Sequence, residues 1–211
     1  MLNVPHKFDP ANLNHLSSPE RVALLDVDRT LSLTRAREGE RALDAGCGVG
    51  VFTIPLAGLV GRSGHVFAVD VEPAMVEACR ARVEEAGLTN VTVTRSGENS
   101  FPLPDAAVDL VFACHLLHEL LDPPAFFAEV RRVLKPEGRV VVVEWEKVET
   151  GGAGPPVKHR LTPEEARAVL AGGGLKVTEV HSVTWANYFL SAVFYPRAAG
   201  LSFEAGPRED R

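Results

Sequence analysis

Asp44, Gly46, Gly48 and Gly50 stand at alternate positions of Leu43-Asp44-Ala45-Gly46-Cys47-Gly48-Val49-Gly50. Before them lies a strand-like run, and after them a helical pattern from Val51 to Leu59. An acid followed by three bare backbone positions is built for binding. Glycine tolerates positive φ and lacks a Cβ, so the turn can be tight and a ligand can approach its backbone closely. A helix N-terminus beside it offers unpaired N–H groups and a partial positive charge, suited to a carboxylate or phosphate. The dinucleotide fingerprint G-x-G-x-x-G needs its third glycine at position 51, which is Val51, and asks for no acid at position 44.

The elements that must position this turn follow from residue periodicity. Short strands are expected at 41–44, 65–70, 91–95, 108–113 and 139–145, with helices at 51–60, 73–86 and 123–134. The run Val140 to Val143 is unbroken and reads as central in a sheet. Lys135-Pro136-Glu137-Gly138 should stop the third of these helices. Thr162-Pro163-Glu164-Glu165 opens a further helix with a capping box, ending at Gly172-Gly173-Gly174. Strands at 175–184 and 188–195, joined by a short turn, suggest an antiparallel pair. Ahead of residue 38, Ser18-Pro19-Glu20 starts one short helix, and Asp26 or Asp28 caps a second running to Thr34. The last dozen residues read as frayed. Strand–helix alternation closed by a hairpin predicts an α/β fold, a mostly parallel sheet with helices on both faces. Ligands of such sheets sit at the strands' carboxyl ends. Asp44, Asp70, Ser96 to Asn99, Cys114 to Glu119 and Glu144-Trp145 all fall there.

The form Asp44-x-Gly46-x-Gly48-x-Gly50 resembles motif I of the class I S-adenosylmethionine (SAM) methyltransferases. The chain from Gly39 onward is similar to the branch of the ubiquinone/menaquinone biosynthesis C-methyltransferases. Val66-Phe-Ala-Val-Asp70-Val-Glu-Pro-Ala-Met75 resembles motif II, and Pro102-Leu-Pro-Asp105 with Val108-Asp109-Leu-Val111 the region before strand 4. Val130-Arg-Arg-Val-Leu-Lys-Pro-Glu-Gly-Arg139 resembles the helix and turn before strand 5, and His6-Lys7-Phe8-Asp9-Pro10 an N-terminal segment of small prokaryotic members. The resemblance implies a Rossmann-like seven-stranded sheet with an antiparallel last strand. It divides the chain into an N-terminal helical lid at 1–38 and a SAM-binding domain at 39–211. The implied cofactor is SAM, with S-adenosylhomocysteine as product.

On that resemblance Gly46, Cys47, Gly48 and Gly50 cradle the methionine part of SAM. Asp44 orients its ammonium, directly or through water. Asp70 holds the ribose hydroxyls, with Val71 beside it; a helix cap is a compatible second role for Asp70. Met75 either touches adenine or fills core. Many relatives carry Asp where Gly97 stands, so Ser96, Glu98 or Asn99 must supply the adenine contact, or it is lost. Cys114 lines the cofactor through its backbone, whereas Cys47 and Cys79 also read as small core residues. His115, His118 and Glu119 follow strand 4, where acceptors meet the methyl group in this family; relatives often read Leu-His-His there. Two readings stay open: these side chains deprotonate an oxygen, nitrogen or activated carbon acceptor, or His118 and Glu119 only cap and solvate a helix start. Trp145 either walls the acceptor pocket or covers core. His159 and Arg160 read as solvated loop residues, and His15, His65 and His181 carry no signal.

The 211 residues suffice for one sizeable domain. The formal charge of −6 argues against a nucleic-acid partner. No run approaches a membrane span, no apolar leader is visible, and three widely spaced cysteines form no metal motif and fit a reduced, cytoplasmic setting. The expected activity is SAM-dependent methyl transfer to a small, partly apolar acceptor, by a monomer or homodimer without a metal. A nicotinamide-dependent oxidoreductase using the same turn, and a non-catalytic SAM-binding scaffold, are the alternatives.

Overall fold

The structure, a computed structural model, describes Phe8 and residues 10–196. The expectations for His6 to Asp9 and for the last dozen residues lie outside these, apart from Phe8. A 3-10 segment, Pro10–Ser17, leads into helix α1, Pro19–Leu25, and helix α2, Val27–Thr34. Ser18 caps α1 by accepting from the Arg21 N–H, and Pro19 fits the first turn because it has no N–H to leave unpaired. Asp26 takes a left-handed conformation (φ 39°) that ends α1, while its carboxylate accepts from the Arg29 N–H and starts α2.

Beyond residue 40, strands and helices alternate as β1 (Arg41–Ala45), α3 (Thr53–Val60), β2 (His65–Asp70), α4 (Pro73–Glu85), β3 (Val91–Arg95) and β4 (Val108–Cys114). There follow α5 (Pro123–Val133), β5 (Leu134–Trp145), α6 (Pro163–Gly172), β6 (Leu175–Ser182) and β7 (Asn187–Phe194). Seven strands form one sheet in the order β3-β2-β1-β4-β5-β7-β6. β1 to β5 run parallel, and β7 lies antiparallel between β5 and β6. The expected architecture is therefore the observed one.

Among the boundaries that differ from the sequence reading, two are instructive. α3 opens at Thr53 rather than Val51, because Phe52 caps it without a side-chain bond and the Thr53 hydroxyl is committed to Asp44. α5 ends at Val133, and Leu134 already pairs with Val108; residues 135–138 then bulge opposite Asp109 before pairing resumes at Arg139 with Leu110. The Lys135 ammonium meets Asp109 at 2.7 Å and pins the bulge.

Successive residues of β5 point to opposite faces. Val140 and Val142 pack with Phe126, Phe127 and Val130 of α5 and Leu170 of α6. Val141 and Val143 pack with Leu56, Ala57 and Val60 of α3, and with Leu25 and Leu31 from α1 and α2. The N-terminal helices thus share the core beneath one face of the sheet.

Candidate active site

The order β3-β2-β1-β4 reverses direction between β1 and β4, and a crevice forms at such a switch point. A cavity of about 630 Å³ opens there over the carboxyl ends of β1 to β5. That volume falls within the range of small-ligand pockets.

The turn after β1 forms its floor. Gly46, Gly48 and Gly50 have φ of 72°, 52° and 81°, a region that costs other residues about 1–2 kcal/mol each. Gly46 and Cys47 both donate to the Val69 carbonyl at 2.9 Å, tying the turn to β2. Asp70, at the end of β2, accepts from the Gly48 N–H through Oδ2 at 2.9 Å and from the Glu72 N–H through Oδ1 at 3.0 Å. The helix cap is Glu72, so Asp70 braces the loops instead of capping α4. A Cβ on Gly46 would meet Leu116 at 3.1 Å. Gly50 is off the cavity wall: its absent Cβ would lie 2.9 Å from Cys79 Sγ, so its task is to let the turn pack on α4.

Asp44 is 2% exposed; its Oδ2 accepts from the Thr53 hydroxyl at 2.6 Å. Burial pushes its carboxyl up to about 7, against the opposing Thr53 bond and with the charge of Asp70 adding to the rise. Burial likewise raises Asp70, although the backbone N–H groups of Glu72, Gly48 and Val71 oppose it. Further along the wall lie Val71, Met75, Gly97, Glu98 and Asn99. Gly97 bridges to Ser100, whose hydroxyl occupies the space a Cβ at position 97 would take.

At the end of β4, Cys114, His115, His118 and Glu119 all face the cavity. His118 Nδ1 meets both oxygens of Glu144, at 3.0 and 2.8 Å. A carboxylate only accepts, so Nδ1 carries a proton and Nε2 is left toward Glu119 Oε1, 3.8 Å away. Burial alone would lower His118, but the charge and hydrogen bond of Glu144 outweigh it and hold the imidazole above its ordinary value. Burial pushes Glu119 up to about 7, against the pull of His118. Its Oε1 also accepts from the Phe8 N–H at 3.2 Å. Glu144, at the end of β5, lies behind the wall rather than on it, wholly buried.

His115 is arranged differently. Arg21 Nη2 lies 3.0 Å from Nδ1, and arginine only donates, so Nδ1 accepts. Nε2–H then donates to Asn187 Oδ1 at 2.5 Å. Burial and the Arg21 charge hold the ring well below its ordinary value, hence neutral. The ring stacks on Trp145 at 4.1 Å. Trp145 is both wall and core: it lines the cavity and is 1% exposed.

Arg160 corrects the sequence reading. It is buried, over the Trp145 ring at 5.1 Å, and donates to the carbonyls of Glu146, Val148 and Pro155 and to the Thr150 hydroxyl. It thereby folds residues 146–155 against the site, placing Gly152 to Pro155 on the cavity wall. Sequence reasoning also missed His15, Leu16 and Arg21, which line the cavity from the N-terminal side.

The group implied by motif I, SAM, carries a sulfonium and an ammonium on a nucleoside. The residues present fit it: a bare backbone floor, a carboxylate at Asp70 on the cavity wall, and a further buried acid at Asp44 suited to a cation. Among the described residues no group of three or more His, Cys, Asp or Glu is placed to hold a metal, and no helix is long and apolar enough to cross a membrane.

Antiparallel β7 inserted beside β5 separates this fold from all-parallel dinucleotide-binding sheets. Fold and site define an α/β transferase of the SAM-binding kind. The Methyltransferase domain family matches residues 43–142. A crystal structure of a SAM dependent methyltransferase from Aquifex aeolicus is 35% identical, with a TM-score of 0.84, over 88% of this chain and 98% of that one. The ubiquinone/menaquinone biosynthesis C-methyltransferase UbiE of Vibrio vulnificus is 32% identical over 56% of this chain and 46% of its own length. An uncharacterized 37.1 kDa protein in transposon TN4556 of Streptomyces fradiae is 36% identical over 67% of this chain and 42% of its own. The chain therefore spans about half the length of these two curated relatives. It belongs to the class I SAM-dependent methyltransferases, whose cofactor is SAM and product S-adenosylhomocysteine.

Proposed function

We propose that this chain transfers the methyl group of SAM to a carbon, oxygen or nitrogen of a small, partly apolar acceptor. The observation that carries this is the convergence of the Gly46–Gly48 floor, Asp70 and the Glu144–His118 pair on one cavity. When bound, SAM supplies an activated methyl group with a neutral thioether as leaving group. The protein's share is then alignment, exclusion of water and removal of a proton.

In this reading Asp70 and Val71 hold the ribose, Asp44 the ammonium, and Met75 with Glu98 and Asn99 flank the adenine. Cys114 contributes backbone to the cofactor wall. His118 is the general base: Glu144 fixes its Nδ1–H and stabilises the imidazolium formed when Nε2 takes the acceptor's proton. Glu119 receives that proton or shares it. His115 positions Arg21 and Trp145 and is no base, since both ring nitrogens are engaged. Residues 10–17 and the first turns of α1 act as the lid, while Leu25 at the end of α1 and the whole of α2 belong to the core.

Calorimetry tests the reading. S-adenosylhomocysteine should bind at micromolar level and NADH should not. Turnover of labelled SAM across an acceptor panel, lost in His118→Ala while S-adenosylhomocysteine affinity persists, supports the base assignment. Saturable SAM binding with no turnover on any acceptor favours the scaffold reading instead.

A further inference from the structure

Among the described residues, Arg21 is a cation whose two side-chain hydrogen-bond partners are both neutral. It sits on α1 at the cavity wall, and burial lowers its guanidinium from the ordinary value. Nη1 donates to the Leu16 carbonyl at 3.0 Å, and Nη2 donates to His115 Nδ1. A guanidinium has five N–H donors, so most of its donor capacity has no acceptor among the described residues. Glu119 and Cys114 attract it electrostatically. Neither supplies a full counter-charge near neutrality, because burial pushes Glu119 up to about 7 and the Cys114 thiol higher still. This half-buried guanidinium faces the cavity without a charged partner among the described residues. The planar fork of arginine is, however, matched to a carboxylate.

Position says whose carboxylate. Along the sheet edge the wall runs from Asn99 after β3, through Asp70 and Asp44, to His115 after β4 and Trp145 after β5. In the reading above the nucleoside lies over β3 and β2 and the methionine over β1. Arg21 is bonded at the β4 end, where Leu116, Leu120, Phe126 and Trp145 make the wall apolar. We propose that Arg21, held by neutral His115, is the anion-recognition residue of the acceptor half, so that the acceptor is a small apolar molecule bearing a carboxylate. This rests on the methyltransferase reading and narrows its substrate class. The carboxylate pairs with Arg21 while the apolar body lies against Phe126 and Trp145, near His118 Nε2.

The test uses the full chain loaded with S-adenosylhomocysteine and an isosteric probe pair, phenylacetate and phenylacetamide, titrated by ligand-observed NMR. Phenylacetate should bind at least about tenfold more tightly than the amide. Arg21→Met should erase that preference and Arg21→Lys should retain part of it. Equal binding of the two probes to the wild type, or no phenylacetate binding at millimolar concentration, overturns the proposal without any variant. A lowered melting temperature in Arg21→Met with the preference intact also overturns it, because Arg21 is then a lid staple only. So does weaker binding of S-adenosylhomocysteine but not of 5′-methylthioadenosine, which lacks the amino-acid end; Arg21 then serves the cofactor's own carboxylate. Failure of the wild type to bind S-adenosylhomocysteine at all strikes the methyltransferase reading instead.

Discussion

His118 Nδ1 lies 2.8 Å from Glu144 Oε2, and the two side chains are 2% and 0% exposed. A pair so withdrawn from water is held by geometry from two strand ends: His118 follows β4, and Glu144 closes β5. It turns one nitrogen inward and leaves the other for chemistry.

Glu144→Gln keeps the shape and removes the charge that holds His118 up. The His118 pKa, followed by NMR titration, should fall, and turnover should drop by about a hundredfold or more. Glu144→Ala also leaves the imidazole without its buried partner, and urea unfolding should register a loss of about 3–5 kcal/mol. An unchanged His118 titration in Glu144→Gln would remove the base assignment.

Asp70 joins the turn after β1 to the end of β2 through the Gly48 N–H. Asp70→Ala should weaken S-adenosylhomocysteine by roughly tenfold to a hundredfold, the worth of hydrogen bonds to a charged group. Calorimetry reads this directly.

Asp44 and Glu119 both sit at about 7 in the folded chain, far above the ordinary carboxylate values to which unfolding returns them. The folded state therefore holds protons that the unfolded state releases. Its stability is fully present below the unfolded values and is lost as pH rises toward 7. The melting temperature of the ligand-free protein should fall between about pH 4 and pH 7, and Asp44→Asn should flatten part of that fall. A cationic ligand favours ionised Asp44, so S-adenosylhomocysteine should bind more tightly at pH 7.5 than at pH 5.5, by about tenfold. Equal affinity at both values would separate Asp44 from the ammonium.

Gly50→Ala meets two obstacles, a φ of 81° and the Cys79 sulfur. Stability should fall by about 1–3 kcal/mol. Cys79→Ala in the same chain should relieve the steric part and leave the backbone part, so the double variant should be less destabilised than the two singles summed. Strict additivity would show that the sulfur is not the obstacle.

Arg160→Met should release residues 146–155, because four oxygens lose their common donor. Hydrogen exchange should quicken across this loop and the fluorescence of Trp145 should shift, while α4 stays protected.

What the sequence disclosed was local. Alternating glycines, the acid at the end of a strand, the caps at Ser18, Asp26 and Thr162, and the apolar run in β5 are all readable from neighbours in the chain. The seating of α1 and α2 in the core was not, since it depends on which face the sheet leaves bare. Arg160 and Arg21 were misjudged or passed over for one reason: arginine on a loop or short helix is usually solvated, and only tertiary placement supplies the four acceptors of the former or the neutral contacts of the latter.

β7 follows β6 in the chain, yet it occupies an interior slot between β5 and β6. During vectorial synthesis the long, apolar rim of β5 stays uncovered until the hairpin emerges, a window in which edge-to-edge association competes with folding. Asn187, the first residue of that strand, also receives the His115 proton donor and donates to the Leu24 carbonyl. The strand that fills the sheet beside β5 therefore also fixes the Arg21 guanidinium through His115, so the pocket is complete only once that strand is in place.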